Sequence, residues 1–430
     1  MIPTMKHTSI IALLAISLLA MATTACRDDE PELLRADEMM IYSTPSEQFD
    51  AVWRSINQNY VFWDVDSTDW DAVYAEYMPR FRALDERESV SSDELRELYK
   101  GATATLLDHH MMVMVCNLWG QGNERNQKIY VSPADNELKQ RPYYHRFDTY
   151  GVWEAYDHLN NDLNVSDLQF ASHGDTYYCS AIINNHVLYF GLTGLDITAL
   201  MNDAAAPEPQ PDDYWDEDQY ESDHDAWLAV QQTKDVVDTY IHNALDNPVI
   251  TDVIIDVRGN TGGYLADEYY VLGLFMDGPT LAGYTRHKSG IGRYDYSPWI
   301  PHTFYPYERT RLLSGKIVVL CDLYSVSMAE ITSLLAKEMP NAVLMGERTY
   351  GGHGVLYGDF NEYYTGTFGS MDGPHYGYLC DRCTRTTDGT ILEGQGVTPD
   401  ITLTYDYNDV YGGTNDTWLD RALEYIATGH

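Results

Sequence analysis

Residues 249–263 read VITDVIIDVRGNTGG, a run rich in Val and Ile that ends in a turn with three glycines. An apolar run of this length, bounded by turn residues, predicts a buried β-strand. A helix is predicted before it, from Ala226 to Leu245, and another helix is expected to start near Leu265. A strand between two helices is typical of an α/β sheet with parallel strands.

The same order of elements recurs further along the chain. The sequence predicts a strand from Lys316 to Leu320, a helix from about Val326 to Lys337, and a strand from Ala342 to Gly346. Strands that alternate with helices indicate an α/β core, because a helical crossover is the usual way to join parallel strands.

The rest of the chain shows three other patterns. Residues 47–107 contain three stretches in which aromatic and aliphatic residues recur at helical spacing. They predict a small helical domain before a core of residues 108–430. Within that core, residues 111–189 contain short β-like runs without a clear period.

Residues 203–225 hold ten acidic side chains and no lysine or arginine, which predicts a solvated insertion loop. A calcium loop is the alternative there, although the residue order of known loops is absent.

The charge of the chain excludes one class of partner. Its 430 residues include 66 Asp and Glu against 27 Lys and Arg, a formal net charge of −39. Nucleic acid is not an expected partner, because phosphate binding requires Lys and Arg to displace counterions. The many Tyr and Trp residues indicate a globular protein and not a disordered one.

Residues 1–25 resemble the signal peptide of a bacterial lipoprotein. A basic start precedes an apolar run of about 13 residues, and small residues then lead directly to Cys26. The run is too short to span a bilayer permanently. We therefore predict that Cys26 is acylated and that residues 26–46 form a lipid anchor and tether. An ordinary signal peptide that is cleaved elsewhere is the alternative.

The residues after Cys26 bear on the location. The segment Arg27-Asp28-Asp29-Glu30 is mostly acidic and resembles the export signal of surface lipoproteins in the Bacteroidetes. We therefore expect an outer-membrane lipoprotein of the cell envelope that faces either the periplasm or the cell surface.

Two further cysteines form the motif Cys380-Asp381-Arg382-Cys383. This spacing occurs in redox sites, and it supplies two of the four ligands in many zinc sites. Since the chain has no second C-x-x-C or H-x-x-H, we predict a local disulfide or two free thiols there. No metal site and no cofactor are expected.

Two junctions between a strand and a helix carry residues that could bind a ligand or catalyse a reaction. The glycine turn at residues 259–263 lets backbone N–H groups approach a ligand oxygen, and it lacks the motifs of nucleotide-binding loops. Residues 324–330 read YSVSMAE and place Ser327 in the first turn of a helix, beside free N–H groups and the positive end of the helix dipole. A serine there suits a nucleophile whose oxyanion product needs stabilisation. A plain N-cap serine is the alternative.

Five motifs resemble, in order, those of the tail-specific (C-terminal processing) serine peptidases. They are LLDHH at 106–110, IDVRGNTGG at 255–263, SVSMAE at 325–330, GERTYG at 346–351 and EGQGVTPD at 393–400. This resemblance implies the crotonase- or ClpP-like β-α superhelical core of that family, preceded here by the small helical domain.

The resemblance also implies roles for individual residues. Many family members use a Ser-Lys dyad, but no lysine follows Lys337, and Gly352 lies at the place of the dyad lysine. The branch that includes the tricorn core protease, which uses Ser, His and Glu, resembles this chain better. By motif, Ser327 is then the nucleophile, His110 the general base and Glu393 the orienting group. His109 lies where tricorn-type enzymes have a fourth member of the site, a serine.

The choice of base and of oxyanion donors follows from chemistry as well. Imidazole is the side chain poised for proton transfer near neutral pH. If residues 109 and 110 lie on a strand, they face opposite ways, so only one of them reaches the site. His353, one position after Gly352, is the competing candidate for the base. The backbone N–H groups of Gly262, Gly263 and Met328 are expected to bind the oxyanion.

Together these features predict an extracytoplasmic, lipid-anchored serine endopeptidase that acts on peptides or proteins through an acyl-enzyme. No PDZ domain is predicted, because residues 111–189 lack its carboxylate-binding motifs. One alternative is a catalytically inactive lipoprotein that binds a peptide or a hydrophobic ligand on the same fold. Glycan binding by the many Tyr and Trp residues is the other.

Overall fold

The computed structural model describes residues 42–133, 150–356, 366–404 and 416–430. The predicted signal peptide, Cys26 and most of the predicted tether lie outside these residues. Within the described ranges, no helix combines the length and the apolar character needed to cross a bilayer.

Three helices form the N-terminal part of the described chain, as the helical repeats predict. They are α1 (Pro45–Asn59), α2 (Trp70–Arg82) and α3 (Ser92–Thr103). The side chain of Ser91 caps α3 by accepting a hydrogen bond from the N–H of Glu94, which satisfies one free donor of the first turn. The apolar faces of the three helices share one buried cluster with strands β1 (Met112–Asn117) and β2 (Gln127–Val131). The helices therefore pack directly on the strands that follow them.

The next part of the chain leads into the main sheet. Its elements are α4 (Tyr150–Asn161), β3 (Val165–His173), β4 (Thr176–Ile183), β5 (Val187–Leu192), α5 (Ile197–Ala204) and α6 (Glu217–Asp246). The predicted loop at 203–225 is thus only partly a loop, because α6 begins at Glu217. The Asp216 side chain caps that helix, and acidic residues in a first turn are favoured by the helix dipole. The acidic composition that indicated a loop therefore also suits a helix start.

A seven-stranded sheet forms the core. Besides β3, β4 and β5, it contains β6 (Asp252–Asp256), β9 (Ile317–Cys321), β10 (Ala342–Gly346) and β14 (Ile401–Thr402). The strand order is β14-β10-β9-β6-β5-β4-β3. The pairs from β5 to β14 are parallel, and β3, β4 and β5 pair antiparallel. The predicted α/β core is confirmed, although Leu265–Tyr269 forms a 3₁₀-helix.

Two smaller sheets complete the fold together with helices α7 (Met328–Glu338) and α8 (Thr417–Thr428). One contains β7 (Thr280–His287), β8 (Ile300–Phe304) and β13 (Arg382–Arg385). The other contains β11 (Phe368–Gly369), β12 (His375–Tyr378), β1 and β2. Strands β1 and β12 are antiparallel, with Met112 opposite Tyr378. This register brings the residues just before β1 beside the residues just after β12.

Candidate active site

Ser327 lies at a sharp turn between strand β9 and helix α7. Its backbone angles are φ 59° and ψ −119°, a conformation that residues with a side chain rarely adopt. The turn is held by backbone hydrogen bonds, from the Ser327 N–H to the Gly352 carbonyl (3.1 Å) and from the Val326 N–H to the Asn260 carbonyl (2.9 Å). The side chain of Ser327 is partly exposed. A strained turn of this kind presents a serine hydroxyl at the start of a helix, where nucleophilic serines occur in other hydrolases.

The side chain of Glu330 holds the Ser327 turn in place, a role that the sequence did not predict. Its buried carboxylate accepts hydrogen bonds from Thr349 Oγ1 (2.5 Å), the Gly351 N–H (2.8 Å) and the Ser327 N–H (3.4 Å). Burial raises the pKa of Glu330 to about 7, although these donors act in the opposite direction. Glu330 thereby links the first turn of α7 to the loop at 349–352. The signal that could have identified it is the S-x-x-E spacing from Ser327, which is a capping-box pattern.

The glycine turn packs directly against Ser327. Gly262 has a φ of +89°, and a Cβ atom on it would lie 2.6 Å from Ser327 Cβ and 2.8 Å from the Met328 nitrogen. The Gly262 N–H donates to the Asn260 side chain (2.8 Å), so this donor is already used within the turn. Among the described residues, the N–H groups of Gly263 and Met328 have no hydrogen-bond partner. The N–H groups of Gly263 and Met328 are therefore available to a ligand, whereas the role of Gly262 in the structure is its close approach to Ser327.

His110 lies in a turn that precedes β1, and not on the strand itself. The expected strand alternation therefore does not orient this residue. The His110 N–H donates to Asp108 Oδ1 (2.9 Å), which fixes the turn. The Nε2 atom of His110 is buried and has no hydrogen-bond partner among the described residues. Burial, with His109 as a smaller cause, lowers the pKa of His110 to about 4, so the imidazole is neutral near pH 7.

Cys380 contacts the Nδ1 side of the His110 ring. The Cys380 Sγ lies 3.5 Å from His110 Nδ1 and 3.2 Å from Asp108 Oδ1. We assign the thiol proton to Asp108 and an Nδ1–H to His110, an arrangement in which the sulfur accepts from the ring. The lone pair of the imidazole is then on Nε2, as a general base requires. The sequence pairs Cys380 only with Cys383, since the register of β1 against β12 is what brings it beside His110.

Glu393 lies close to His110 but holds the backbone around it. Its buried carboxylate accepts hydrogen bonds from the N–H groups of His109 (2.8 Å), His353 (2.8 Å) and Gly354 (2.6 Å). No hydrogen bond joins Glu393 to the His110 ring among the described residues, although their ligand atoms lie within 4.8 Å of each other. Burial, and then the charge of Asp108, raise the pKa of Glu393 well above its usual range. Glu393 therefore positions the two loops that surround the imidazole.

His110 and Gly352 are neighbours at the Ser327 turn. A Cβ atom on Gly352 would lie 3.2 Å from His110 Cε1 and 3.3 Å from Val326 Cγ1. A side chain at position 352 would therefore crowd the His110 ring, which lies next to the residue that precedes Ser327. The competing base, His353, directs its Nδ1 to Thr384 Oγ1, and burial lowers its pKa to about 3. The geometry therefore favours His110 over His353 as the base.

The family of the chain follows from comparison with known proteins. Residues 226–403 match the model of peptidase family S41, and residues 43–93 match that of the tricorn protease C1 domain. Together the two matches support a protease of the tail-specific type, with the S41 match extending over residues 226–403. The S41 match includes Ser327, the glycine turn and Glu393, whereas His110 lies between the two matched segments.

Solved structures show the same fold. The chain is similar to a putative peptidase from Parabacteroides merdae, with 18% sequence identity and a TM-score of 0.60. The similarity covers 90% of this chain and 98% of that one. It is also similar to mature CPAF complexed with lactacystin, with 12% identity and a TM-score of 0.54, over 90% of this chain and 99% of that one. These likenesses confirm the predicted architecture, a helical region followed by an α/β core.

Proposed function

We propose that the protein is a lipid-anchored, extracytoplasmic serine peptidase that cleaves peptide bonds through an acyl-enzyme. The match to peptidase family S41 supports a serine-type peptidase. The observation that carries the proposal for this chain is the place of His110 beside the Ser327 turn. A Cβ atom on Gly352, whose carbonyl accepts the Ser327 N–H, would lie 3.2 Å from His110 Cε1 and 3.3 Å from Val326 Cγ1. A neutral imidazole with a free Nε2 lone pair, packed near the Ser327 turn, is poised to accept the serine proton.

The proposed reaction uses this arrangement in two steps. Ser327 Oγ attacks the substrate carbonyl carbon while its proton moves to His110 Nε2. The N–H groups of Gly263 and Met328 stabilise the oxyanion, and one such donor is typically worth about 10²–10³ in rate. His110 then gives its proton to the leaving amine, and the peptide bond breaks. A water molecule, deprotonated by the same Nε2, hydrolyses the acyl-enzyme and restores Ser327.

The substrate is proposed to be a peptide or a protein, cleaved in the manner of tail-specific peptidases. The five motifs shared with that group support this subtype. Since no PDZ domain is predicted, selection of substrates is assigned to the residues around Ser327. An inactive protein that binds peptide on the same fold is the alternative that an experiment must exclude.

A serine-reactive phosphonate probe distinguishes these candidates. We expect it to label the wild-type chain at Ser327, as mapped by mass spectrometry of the digested protein, because only an activated serine reacts. Ser327→Ala should remove the label. Ser333→Ala is the matched control, because Ser333 lies on the same helix and its hydroxyl donates to the Ala329 carbonyl (2.7 Å). Absence of label on the folded wild-type chain would favour the inactive binder.

The lipid anchor is tested separately at Cys26. Acylation requires a thiol at the new N-terminus, so Cys26→Ala should leave an unprocessed precursor that carries no fatty acid. Metabolic labelling with a clickable fatty acid measures this directly, with the wild-type chain as the labelled control. Equal labelling of Cys26→Ala would refute the anchor and leave the proposed peptidase untouched.

A further inference from the structure

The imidazole of the proposed base is one of four neighbouring side chains that could bind a metal ion. They are Asp108, His110, Cys380 and Glu393, whose potential ligand atoms all lie within 4.8 Å of one another. They come from three separate segments of the chain, at the turn before β1, the end of β12 and the loop after β13. We propose that they bind one Zn²⁺ ion and that the bound ion switches the peptidase off. The inhibitory part rests on the proposed function, whereas the metal site does not.

The distances between these atoms suit a tetrahedral ion. Zinc bonds to sulfur at about 2.3 Å and to nitrogen or oxygen at about 2.0–2.2 Å, so tetrahedral ligands lie roughly 3.3–3.8 Å apart. Cys380 Sγ already lies 3.5 Å from His110 Nδ1 and 3.2 Å from Asp108 Oδ1. Glu393, whose ligand atom lies within 4.8 Å of the others, must approach by up to about 1.5 Å to complete the set. A donor set of one sulfur, one nitrogen and two oxygens is one that zinc accepts.

The two carboxyl groups of the cluster also suit a cation. Asp108 and Glu393 are both buried, and no lysine or arginine forms an ion pair with either of them within the described ranges. Buried carboxylates are normally paired with a cation or bound to a metal, because leaving a charge without water is costly. Backbone N–H groups hold these two groups in place, including that of Cys380 to Asp108 Oδ2 (2.7 Å). A bound cation would stabilise their ionised form, which burial alone disfavours.

Zinc binding would remove the base by a shift of one proton. The ion displaces the Cys380 S–H proton, which leaves to solvent, and it bonds to the Nδ1 lone pair of His110. The imidazole keeps its one proton, which moves from Nδ1 to Nε2. An Nε2–H group cannot accept the Ser327 proton, so acylation stops. No oxidation or reduction is involved, and a chelator that removes the ion reverses the change.

The ligand set differs from the one that the sequence would suggest. The C-x-x-C motif pairs Cys380 with Cys383, but Cys383 does not belong to the cluster, and its Sγ contacts the Thr384 carbonyl (3.8 Å). Both thiols are buried and free. Cys383 is therefore a matched control, being a buried cysteine three residues from the proposed ligand.

Metal binding is measured first, on the full chain carrying Ser327→Ala, so that catalysis plays no part. Competition with a chromophoric chelator should show one Zn²⁺ per chain. Adding Cys380→Ser should weaken binding by at least about 10-fold, whereas adding Cys383→Ser should leave it unchanged. With Co²⁺ as the probe, a thiolate-to-metal charge-transfer band should appear and be lost only with Cys380→Ser. The melting temperature of each variant, measured without metal, controls for folding.

Inhibition is measured next, on the wild-type enzyme. Zn²⁺ should abolish peptide hydrolysis over the same concentration range in which it binds, and a chelator should restore the rate. Binding that is equal in the Cys380→Ser and Cys383→Ser variants, or no stoichiometric binding, would overturn the site. Full hydrolysis with zinc bound would overturn its inhibitory role. If the metal-free enzyme hydrolyses no peptide, the proposed function fails, and the binding experiment alone decides the site.

Discussion

Alanine at either Ser327 or His110 is expected to lower the rate of peptide hydrolysis by at least about 10⁴-fold, because nucleophile and base act as one unit. For the same reason, the double variant should lose little more than either single variant. His353→Ala tests the competing candidate for the base, whose Nδ1 is hydrogen-bonded to Thr384 Oγ1. The measurement is kcat/KM on a fluorogenic peptide, with the melting temperature of each variant as the control for folding.

The pH dependence of the same reaction tests which group is the base. Only the neutral imidazole accepts a proton, so activity is present above the pKa of His110 and is lost as the pH falls through it. An unperturbed histidine would place this loss near about 6.5. Burial lowers the pKa of His110 to about 4, so activity limited by this group should persist to more acidic pH. Undiminished activity in His110→Ala, or loss of activity only in His353→Ala, would show that His110 is not the base.

Glu393 should contribute in a different way from the other two. Its carboxylate binds three backbone N–H groups and does not touch the His110 ring, so Glu393→Gln disturbs the loops that surround the base. An amide retains one acceptor oxygen but replaces the other with a donor, which faces N–H groups. If Glu393 has the orienting role that the family resemblance implies, we expect it to act through the backbone of His109 and His353.

The parts of the site that the sequence predicts are those set by local structure. Ser327 and the glycine turn follow directly after neighbouring strands β9 and β6, which are parallel, so their ends meet at one edge of the sheet. A buried strand followed by glycines, or by a serine at a helix start, is visible within about ten residues of sequence. For this reason the nucleophile and the turn beside it can be identified without a structure.

The parts that the sequence does not predict depend on contacts between distant segments. Cys380 reaches Asp108 and His110 only through the pairing of β1 with β12, and no periodicity in the sequence encodes that register. The role of the Gly262 N–H likewise depends on the Asn260 side chain folding back onto it. Helix α6 was partly missed because its N-terminal turns are acidic and solvated, so they lack the apolar repeat that reveals a packed helix.

Gly262→Ala is expected to lower the hydrolysis rate by at least about 10²-fold, the loss typical of a disturbed oxyanion site. The new Cβ would lie 2.6 Å from Ser327 Cβ and 2.8 Å from the Met328 nitrogen, so the nucleophile and an oxyanion donor must both move. Some stability should be lost too, because the φ of +89° strains any residue other than glycine by about 1–2 kcal/mol.

Gly389 separates the effect on the site from the effect of backbone strain. It has nearly the same φ, +94°, but a Cβ atom there would meet nothing within 4 Å. Gly389→Ala should therefore lower the melting temperature by a similar backbone effect and keep its hydrolysis rate, while Gly262→Ala loses the rate. Both variants are compared by thermal unfolding and by kcat at saturating peptide. If Gly262→Ala keeps the wild-type rate, or loses no more of it than Gly389→Ala, the close approach of this turn to Ser327 has no part in catalysis.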